Sequence, residues 1–180
     1  MSEINRAVHR PEQLEECLAG IAAGDRQAFE SLYRMTEASV YAFAFSILKN
    51  SHDAQDVAHD AYLRIYSAAP FYRKNGTPMA WILTVVKNLC TSRLRESKKA
   101  AEIAPEEWDQ HLPPQEDEDR ETRLVLNEAL KNLSDEERQI LILHAVADLK
   151  HRQIAELLGI PLSTVLSKYR RTLKKLERLL

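Results

Sequence analysis

The sequence has few of the residues that build tight turns, cross-links or membrane spans. It contains 4 glycines, 7 prolines and 2 cysteines in 180 residues. Hairpin turns depend on glycine, so a β-sandwich or barrel is not expected. Two cysteines are too few for a disulfide framework. Because no segment approaches the ~18 apolar residues of a membrane span, and the first eleven residues lack the apolar core of a signal peptide, we expect a cytoplasmic protein without membrane insertion.

The chain also has little net charge, but its charges are segregated. Lys and Arg number 25 and Asp and Glu 27, which gives a formal net charge of −2. The balance is +2 over residues 1–100, −8 over 101–135 and +4 over 136–180. The acidic stretch also holds three prolines, and like charges with helix breakers are typical of a solvated linker. The sequence therefore predicts two domains, 1–98 and 122–180, joined by a flexible acidic linker over 99–121.

Both domains are predicted to be all-α, because their apolar residues recur at helical spacing. Asp25 is placed to cap the second helix, and Ser51 or Asp53 to begin the third. The motif Ser134–Glu137 is a capping box, in which the hydroxyl and the carboxylate each accept a hydrogen bond from a free backbone N–H. The predicted helices cover residues 11–23, 26–49, 51–68, 79–98, 122–132, 135–147, 151–158 and 162–180.

Residues 151–171 have the pattern of a helix-turn-helix. Ile154 and Val165 are spaced to pack across a turn at Gly159, where a left-handed φ costs little. On a helical wheel the second helix has an apolar face with Leu162, Val165, Tyr169, Leu173 and Leu176. Its opposite face begins with hydroxyls and continues with cations, which suits base edges and phosphates. The alternative is an amphipathic surface helix, but six basic residues against one acidic over 162–180 favour DNA binding.

The helix over 53–68 has a polar face with a single leucine. Leu63 projects there among Asp53, Asp56 and Asp60. An apolar centre with a charged rim is typical of a protein-docking surface. A solvated acidic face with one exposed leucine is an equally good interpretation of this pattern.

The same helix carries side chains that are able to bind a metal. His52, Asp56, His59 and Asp60 fall close to one face. No second helix supplies a matching set of ligands, so we interpret the histidines as surface residues and expect no metal and no cofactor. The sequence also lacks a nucleophile–base arrangement, which argues against a helical metal-dependent hydrolase or another enzyme.

The segment 71–99 is strongly basic, with 7 basic residues and 1 acidic. Its first part is a predicted exposed loop in which two aromatics stand beside two cations, a combination that stacks unpaired bases and holds the backbone of a single strand. An alternative is that the aromatics pack the loop onto the core, and we interpret Trp81 in that way but Tyr72 as a nucleic-acid contact. The candidate contacts are Phe71, Tyr72, Arg73, Lys74, Asn75, Lys87, Asn88, Thr91 and Arg95.

These motifs resemble, in order and spacing, one family of transcription proteins. The landmarks are Gly24–Phe29, Asp53–Val57, Leu63-Arg64, Pro78–Ile82, Asn88, Arg93, Leu133-Ser134, Glu137-Arg138, Ile154-Ala155, Gly159–Pro161 and Ser163–Val165. Over nearly its whole length the chain is similar to the extracytoplasmic-function (group 4) sigma factors of the bacterial sigma-70 family.

The resemblance implies a non-enzymatic subunit that binds core RNA polymerase and directs initiation at particular promoters. It implies contact with the β′ clamp and β flap of the polymerase, through Asp53, Asp56, Asp60, Leu63 and Arg64 on the clamp side. The loop 71–77, with Asn88, would capture a flipped base of the −10 element. The −35 contacts that it implies are His144, Ser163, Thr164, Ser167, Lys168, Arg170, Arg171 and Lys174. Control by an anti-sigma factor is also implied.

A second function fits the helix-turn-helix alone. The chain would then be an operator-binding regulator whose N-terminal domain dimerises or senses a ligand. Nothing in the sequence of that domain indicates a ligand pocket, and its basic loop would have no role in such a protein.

Overall fold

The computed structural model describes residues 10–100 and 130–178, and within those ranges it contains helices and no strand. This confirms the all-α class with two helical units, the second a helix-turn-helix. The predicted linker and the helix predicted over 122–132 lie, but for their ends, outside the described residues. The helices are α1 (Pro11–Ala22), α2 (Arg26–Leu48), α3 (Ser51–Ala68), a 3-10 turn (Ala69–Phe71), α4 (Pro78–Ala100), α5 (Asp135–Ala145), α6 (His151–Leu158) and α7 (Leu162–Glu177).

Side-chain caps begin three of these helices. Asp25 Oδ1 accepts from Gln27 N at 2.8 Å, as expected. The capping box at the start of α5 is also confirmed, with Ser134 N donating to Glu137 Oε2 at 3.0 Å. Of the two predicted starts of α3, Ser51 is confirmed, and Asn50 caps it: its amide oxygen accepts from Asp53 N at 2.9 Å. An asparagine satisfies that free N–H as well as a serine or aspartate does.

The N-terminal unit packs α1, α3 and α4 around the long α2. Its fully buried side chains include Leu18, Leu32, Phe43, Ile65 and Ile82, one or more from each helix. Burying such side chains contributes about 1.5–3 kcal/mol each to folding. This core fixes α3 and α4 side by side, so that the acidic helix and the basic helix share one rigid unit.

Within residues 130–178 the C-terminal unit packs α5, α6 and α7 around Ile140, Leu143, Ile154 and Val165. Gly159 has φ +69 in the turn between α6 and α7, as the sequence predicted. The buried strip of α7 is narrower than the apolar face that the helical wheel predicted. Leu162 and Leu173 remain 41% and 38% exposed, while Thr172 is fully buried. Two short helices cover only the strip around Val165 and Thr172, which lie two turns apart.

The two units pack against each other, α2 on α5 and α4 on α6. Ser39 Oγ donates to the carbonyl of Val146 at 3.1 Å, and Lys87 Nζ donates to the carbonyl of Leu157 at 2.6 Å. Lys49 Nζ lies 3.0 Å from Asp135 Oδ2. A cavity of about 330 Å³ lies between the units, lined by Leu14, Gly76, Met79, Leu149, Lys150 and Gln153, among others. None of the helices in the described ranges is long and apolar enough to cross a bilayer.

Candidate nucleic-acid and protein-binding surfaces

Leu63 projects from α3 with 57% of its side chain exposed. Asp60 and Arg64 beside it are also exposed. In the structure, the apolar side chain of Leu63 is therefore exposed among charged neighbours. We call Leu63, Asp60 and Arg64, with the two aspartates described next, the α3 face.

The two remaining aspartates of the α3 face are tied to α4. Arg93 donates from Nε and Nη2 to Asp53 Oδ1 at 3.1 and 2.8 Å, and from Nη2 to Asp56 Oδ2 at 3.4 Å. The hydrogen bond to Asp53 and its negative charge raise the pKa of the Arg93 guanidinium. The charge of both aspartates is thus partly compensated, while the carboxylate of Asp60 is not engaged by Arg93.

The nearby group His52, Asp53 and Asp56 offers ligand atoms within 4.8 Å of one another. This is not the set that the sequence suggested, which included His59 and Asp60 as well. Because the Arg93 guanidinium already bonds both carboxylates, we assign the group to an ion-pair network and not to a metal site.

Exposed aromatic rings extend the apolar surface next to Leu63, a feature that the sequence pattern did not reveal. Tyr66 lies one turn along α3 from Leu63, and Tyr33 lies on α2; both are more than 40% exposed. Their rings pack against Phe29 and Tyr62 at centroid distances of 5.5 and 4.7 Å. The helical periodicity predicts that Tyr33 faces the core from α2. In the structure its ring contacts Tyr62 on α3 at the margin of the core and stays partly exposed.

The loop between the 3-10 turn and α4 presents its two aromatics differently. Phe71 is 83% exposed. Tyr72 instead packs on Trp81, with ring centroids 5.1 Å apart. Its hydroxyl lies within donating distance of two acceptors, Glu15 Oε1 at 3.3 Å and Asn75 Oδ1 at 3.2 Å. Burial and the Glu15 charge raise the pKa of Tyr72 to about 12. The structure therefore places Phe71 in solvent and Tyr72 against the scaffold.

A buried carboxylate from α1 lies under this loop. Glu15 Oε1 accepts from Gly76 N at 2.8 Å, and Lys74 Nζ lies 3.5 Å from Glu15 Oε2. Burial alone would raise the pKa of the Glu15 carboxyl, but the Gly76 hydrogen bond and Lys74 outweigh it and leave the pKa below its ordinary value. The sequence interpretation missed Glu15, although a carboxylate between Leu14 and Leu18 on the apolar face of a helix is a signal.

The rest of the loop is held by its own side chains. Asn75 Oδ1 accepts from the backbone N–H of Thr77 at 3.0 Å and from its hydroxyl at 2.8 Å. Gly76 has φ +76, a value that residues with a Cβ rarely adopt. The amide oxygen of Asn75 is thus used within the loop, whereas Arg73 and Lys74 extend into solvent.

On α4 the predicted contact residues divide into two groups. Asn88, Thr91 and Arg95 are exposed and fall on one face of the helix. Lys87 is half-buried, because its ammonium donates to the Leu157 carbonyl at the end of α6. A cation is favoured at that position by the carbonyls of a helix C-terminus.

The outer face of α7 is largely open to solvent. Its exposed members are Ser163, Ser167, Arg170, Arg171 and Lys174. Thr164 is half-buried, and Lys168 pairs with Glu136 at 2.8 Å. A run of hydroxyls followed by cations along one exposed helix face is able to contact base edges and then phosphates.

His144 does not project from the unit. Its ring stacks on His151 at 4.4 Å and packs edge-on against Tyr169 at 4.8 Å, while Nδ1 lies 2.9 Å from the Leu149 carbonyl. His151 Nε2 is buried and has no hydrogen-bond partner among the described residues. Burial and the neighbouring His144 lower the pKa of His151. This three-ring cluster joins α5, α6 and α7 below the outer face of α7.

Comparison with known proteins places both units in one family. Residues 32–100 match the model of sigma-70 region 2, and residues 123–176 match that of sigma-70 region 4. The chain is 32% identical over 165 residues to the ECF RNA polymerase sigma factor SigM of Mycobacterium tuberculosis, which covers 92% of this chain and 83% of SigM. It is 25% identical to SigW of Bacillus subtilis over 171 residues, covering 88% of this chain and 91% of SigW.

Two solved structures share the fold. CnrH in complex with the cytosolic domain of CnrY superposes with a TM-score of 0.61 at 18% identity, covering 93% of this chain and 96% of CnrH. The sigma factor RpoE of Bartonella quintana, in complex with the anti-sigma factor NepR, gives 0.68 at 19% identity, covering 84% and 95%. The two family models and the SigM relationship confirm the resemblance found in the sequence: the chain belongs to the extracytoplasmic-function sigma factors of the sigma-70 family.

Proposed function

We propose that the chain binds core RNA polymerase and directs it to promoters whose −10 and −35 elements it contacts itself. The observation that carries this proposal is the exposed Phe71 on a basic loop, followed by α4, on which Asn88 and Arg95 are also exposed. An exposed aromatic ring beside cations suits a flipped, unpaired base. A regulator that binds only duplex operators has no use for such a surface.

The individual contacts are proposed from position and exposure. The α3 face and its aromatic extension dock on polymerase through Leu63, with Asp53, Asp56, Asp60 and Arg64 around it. On the −10 side, Phe71 stacks on the base, Asn88 bonds its edge, and Arg73, Lys74, Thr91 and Arg95 approach the backbone. The contacts proposed for the −35 duplex are Ser163, Thr164, Ser167, Lys168, Arg170, Arg171 and Lys174.

The predicted contact residues Tyr72, Asn75 and His144 support the proposed DNA-binding surfaces from within the scaffold. The Tyr72 hydroxyl and Asn75 amide oxygen are bonded within the loop, so each shapes the surface that presents Phe71. His144 lies in the ring cluster beneath α7 and positions that helix. The energy of base capture and polymerase contacts offsets an unstacking cost of a few kcal/mol.

We propose further that the protein acts in the cytoplasm without catalysing a reaction, and that an anti-sigma factor holds it inactive. This follows from its family and from the fold that it shares with a sigma factor in complex with the anti-sigma factor NepR. An inhibitor that covers the α3 face would compete directly with core polymerase for Leu63 and its rim.

The test combines the purified chain with core polymerase and fragments of the source genome. We expect co-elution with core in gel filtration and run-off transcripts from a subset of fragments, which identifies working promoters. Potassium permanganate footprinting should show unpaired thymines near −10 in those fragments. Binding of the duplex without association with core would contradict the proposal and favour the operator-binding regulator.

A further inference from the structure

Glu15 is a charged side chain whose polar contacts all reach one loop. It lies on α1, in front of the region 2 match that begins at residue 32. Its side chain is only 5% exposed. Within the described part of the chain its recorded partners are the Gly76 N–H, the Tyr72 hydroxyl and the Lys74 ammonium. No core helix supplies a donor to it.

These three donors span the middle of the loop. The ends of the loop are fixed by the 3-10 turn, where Tyr72 N donates to the Ala69 carbonyl, and by the start of α4, where Trp81 N donates to the Thr77 carbonyl. Residues 73–76 between them lie outside any helix. Backbone groups outside secondary structure need other partners. A carboxylate supplies a strong one, because hydrogen bonds to an ionised acceptor are about twice as strong as neutral ones.

The same carboxylate orients the groups proposed to meet DNA. Tyr72, which bonds Oε1, is the neighbour of Phe71 and sets the direction from which that exposed ring leaves the scaffold. Lys74 lies 3.5 Å from Oε2 while 77% of its side chain stays exposed. The ammonium is thus held near the loop and is still open to a phosphate.

We propose that Glu15 is a positioning residue for the −10 loop, a buried anion on α1 that holds residues 72–76 in the conformation that captures an unpaired base. This inference rests on the proposed function. A buried carboxylate is costly unless it is paired and hydrogen-bonded, and here its pairing serves the loop and not the helical core. Without the carboxylate, Gly76, Tyr72 and Lys74 lose their shared anchor, and the loop that follows Phe71 is less ordered.

The first measurement uses the free full chain and does not involve polymerase. Amide hydrogen exchange at Gly76, followed by NMR, reports the anchoring bond directly. In Glu15→Ala we expect exchange about tenfold faster than in the wild type, as the loss of one charge-assisted bond predicts. Glu15→Gln keeps an amide oxygen that accepts from Gly76 N, so its exchange rate at Gly76 should lie between those of Glu15→Ala and the wild type. Glu16→Ala, an exposed glutamate on the same helix, is the matched control and should leave Gly76 unchanged.

The second measurement uses holoenzyme on a promoter selected by run-off transcription, with 2-aminopurine at the −10 position. We expect Glu15→Ala to reduce strand opening about tenfold, with core binding and duplex binding retained, and Glu15→Gln to restore part of it. Glu16→Ala should open DNA as the wild type does.

The outcomes separate the two proposals. If the wild-type chain does not bind core, the proposed function fails and this inference fails with it. Two outcomes overturn this inference but leave the proposed function standing. One is that Glu15→Ala opens the DNA as well as the wild type does. The other is that amide exchange at Gly76 is unchanged in both Glu15 variants. The inference is also overturned if Glu15→Gln loses core binding and strand opening to the same extent. Glu15 would then support the whole N-terminal unit and not the loop.

Discussion

Two adjacent aromatic residues, Phe71 and Tyr72, have opposite surroundings in the loop that we propose captures the −10 base. Only Phe71 presents its ring to solvent, whereas Tyr72 is packed on Trp81 and bonded to Glu15. The sequence interpretation gave both to nucleic acid and favoured Tyr72. We therefore propose the stacking role for Phe71, because the Tyr72 ring is already packed against Trp81 and has less surface left for a base.

This difference gives a prediction at the residue scale. Phe71→Ala should weaken binding of an unpaired −10 strand by about 1–3 kcal/mol, the usual contribution of one base–aromatic stack. Phe71→Tyr keeps a ring and should bind as the wild type. Fluorescence anisotropy of holoenzyme with a labelled single-stranded −10 oligonucleotide measures the effect. An undiminished affinity in Phe71→Ala would show that the base is held elsewhere.

Leu63 is the second residue whose surroundings determine a test. Truncation of a central apolar contact in a desolvated interface costs about 2 kcal/mol, so Leu63→Ala should weaken core binding about 30-fold. Duplex binding by the C-terminal unit should not change, because Leu63 belongs to α3. Leu94→Ala, another partly exposed leucine on α4, is the matched control, and biolayer interferometry with immobilised core polymerase is the measurement. Equal loss of both activities in Leu63→Ala would refute a docking role.

At the element scale, the C-terminal unit depends on polar and aromatic contacts between short helices. Arg138 is buried at the start of α5 and donates to the carbonyls of Leu130 and Leu133. Glu137 accepts from Lys175 on α7 at 2.7 Å. Such short helices are marginal alone, so these contacts and the ring cluster of His144, His151 and Tyr169 set the angle at which α7 is presented.

The ring cluster makes the stability of this unit depend on pH. The pKa of His151 is lowered by burial and by His144, so in the folded state it lies below the unfolded value of about 6.5. Between these two pKa values the unfolded chain binds more protons than the folded one, and stability therefore falls as the pH drops below about 6.5. Stability is fully present above that pH.

Thermal unfolding from pH 7.5 to 5.5, followed by circular dichroism, checks this. His151→Phe keeps a ring against His144 and Tyr169 and should flatten the dependence on pH, whereas His59→Gln on the exposed face of α3 should leave it intact. If the Tm of the wild type does not fall with acidification, protonation of His151 does not destabilise this unit and the prediction is wrong.

At the scale of the whole molecule, polar contacts help to dock the two units. One of these contacts is made by Lys87, which the sequence predicted to bind the −10 element. The Lys87 ammonium donates to Leu157 in the C-terminal unit. The ammonium has two further N–H donors, but its bond to α6 holds the Lys87 side chain half-buried between the units. The docked arrangement therefore restricts the reach of Lys87 toward a −10 phosphate, while the outer face of α7 is open to solvent.

Removal of this contact should loosen the docking. Lys87→Met loses a hydrogen bond from a charged donor, which contributes about 1.5–3 kcal/mol, and the radius of gyration of the free chain in small-angle scattering should increase. Arg95→Met, an exposed change further along α4, should not alter it. If the scattering of Lys87→Met matches that of the wild type, the remaining contacts, among them Ser39–Val146 and Lys49–Asp135, are enough to hold the units together.

The sequence by itself determined the elements, the segregation of charge and the family, because these depend on local periodicity, caps and motifs. Helix α6 was predicted to the residue from its apolar spacing and from Gly159. The assignment of domain limits and contact residues remains a prediction. Only the tertiary structure decided which of two adjacent aromatics is exposed, that Arg93 compensates Asp53 and Asp56, and that Glu15 lies under a loop some 60 residues away. Those features depend on how helices distant in sequence pack, and no local pattern encodes that packing.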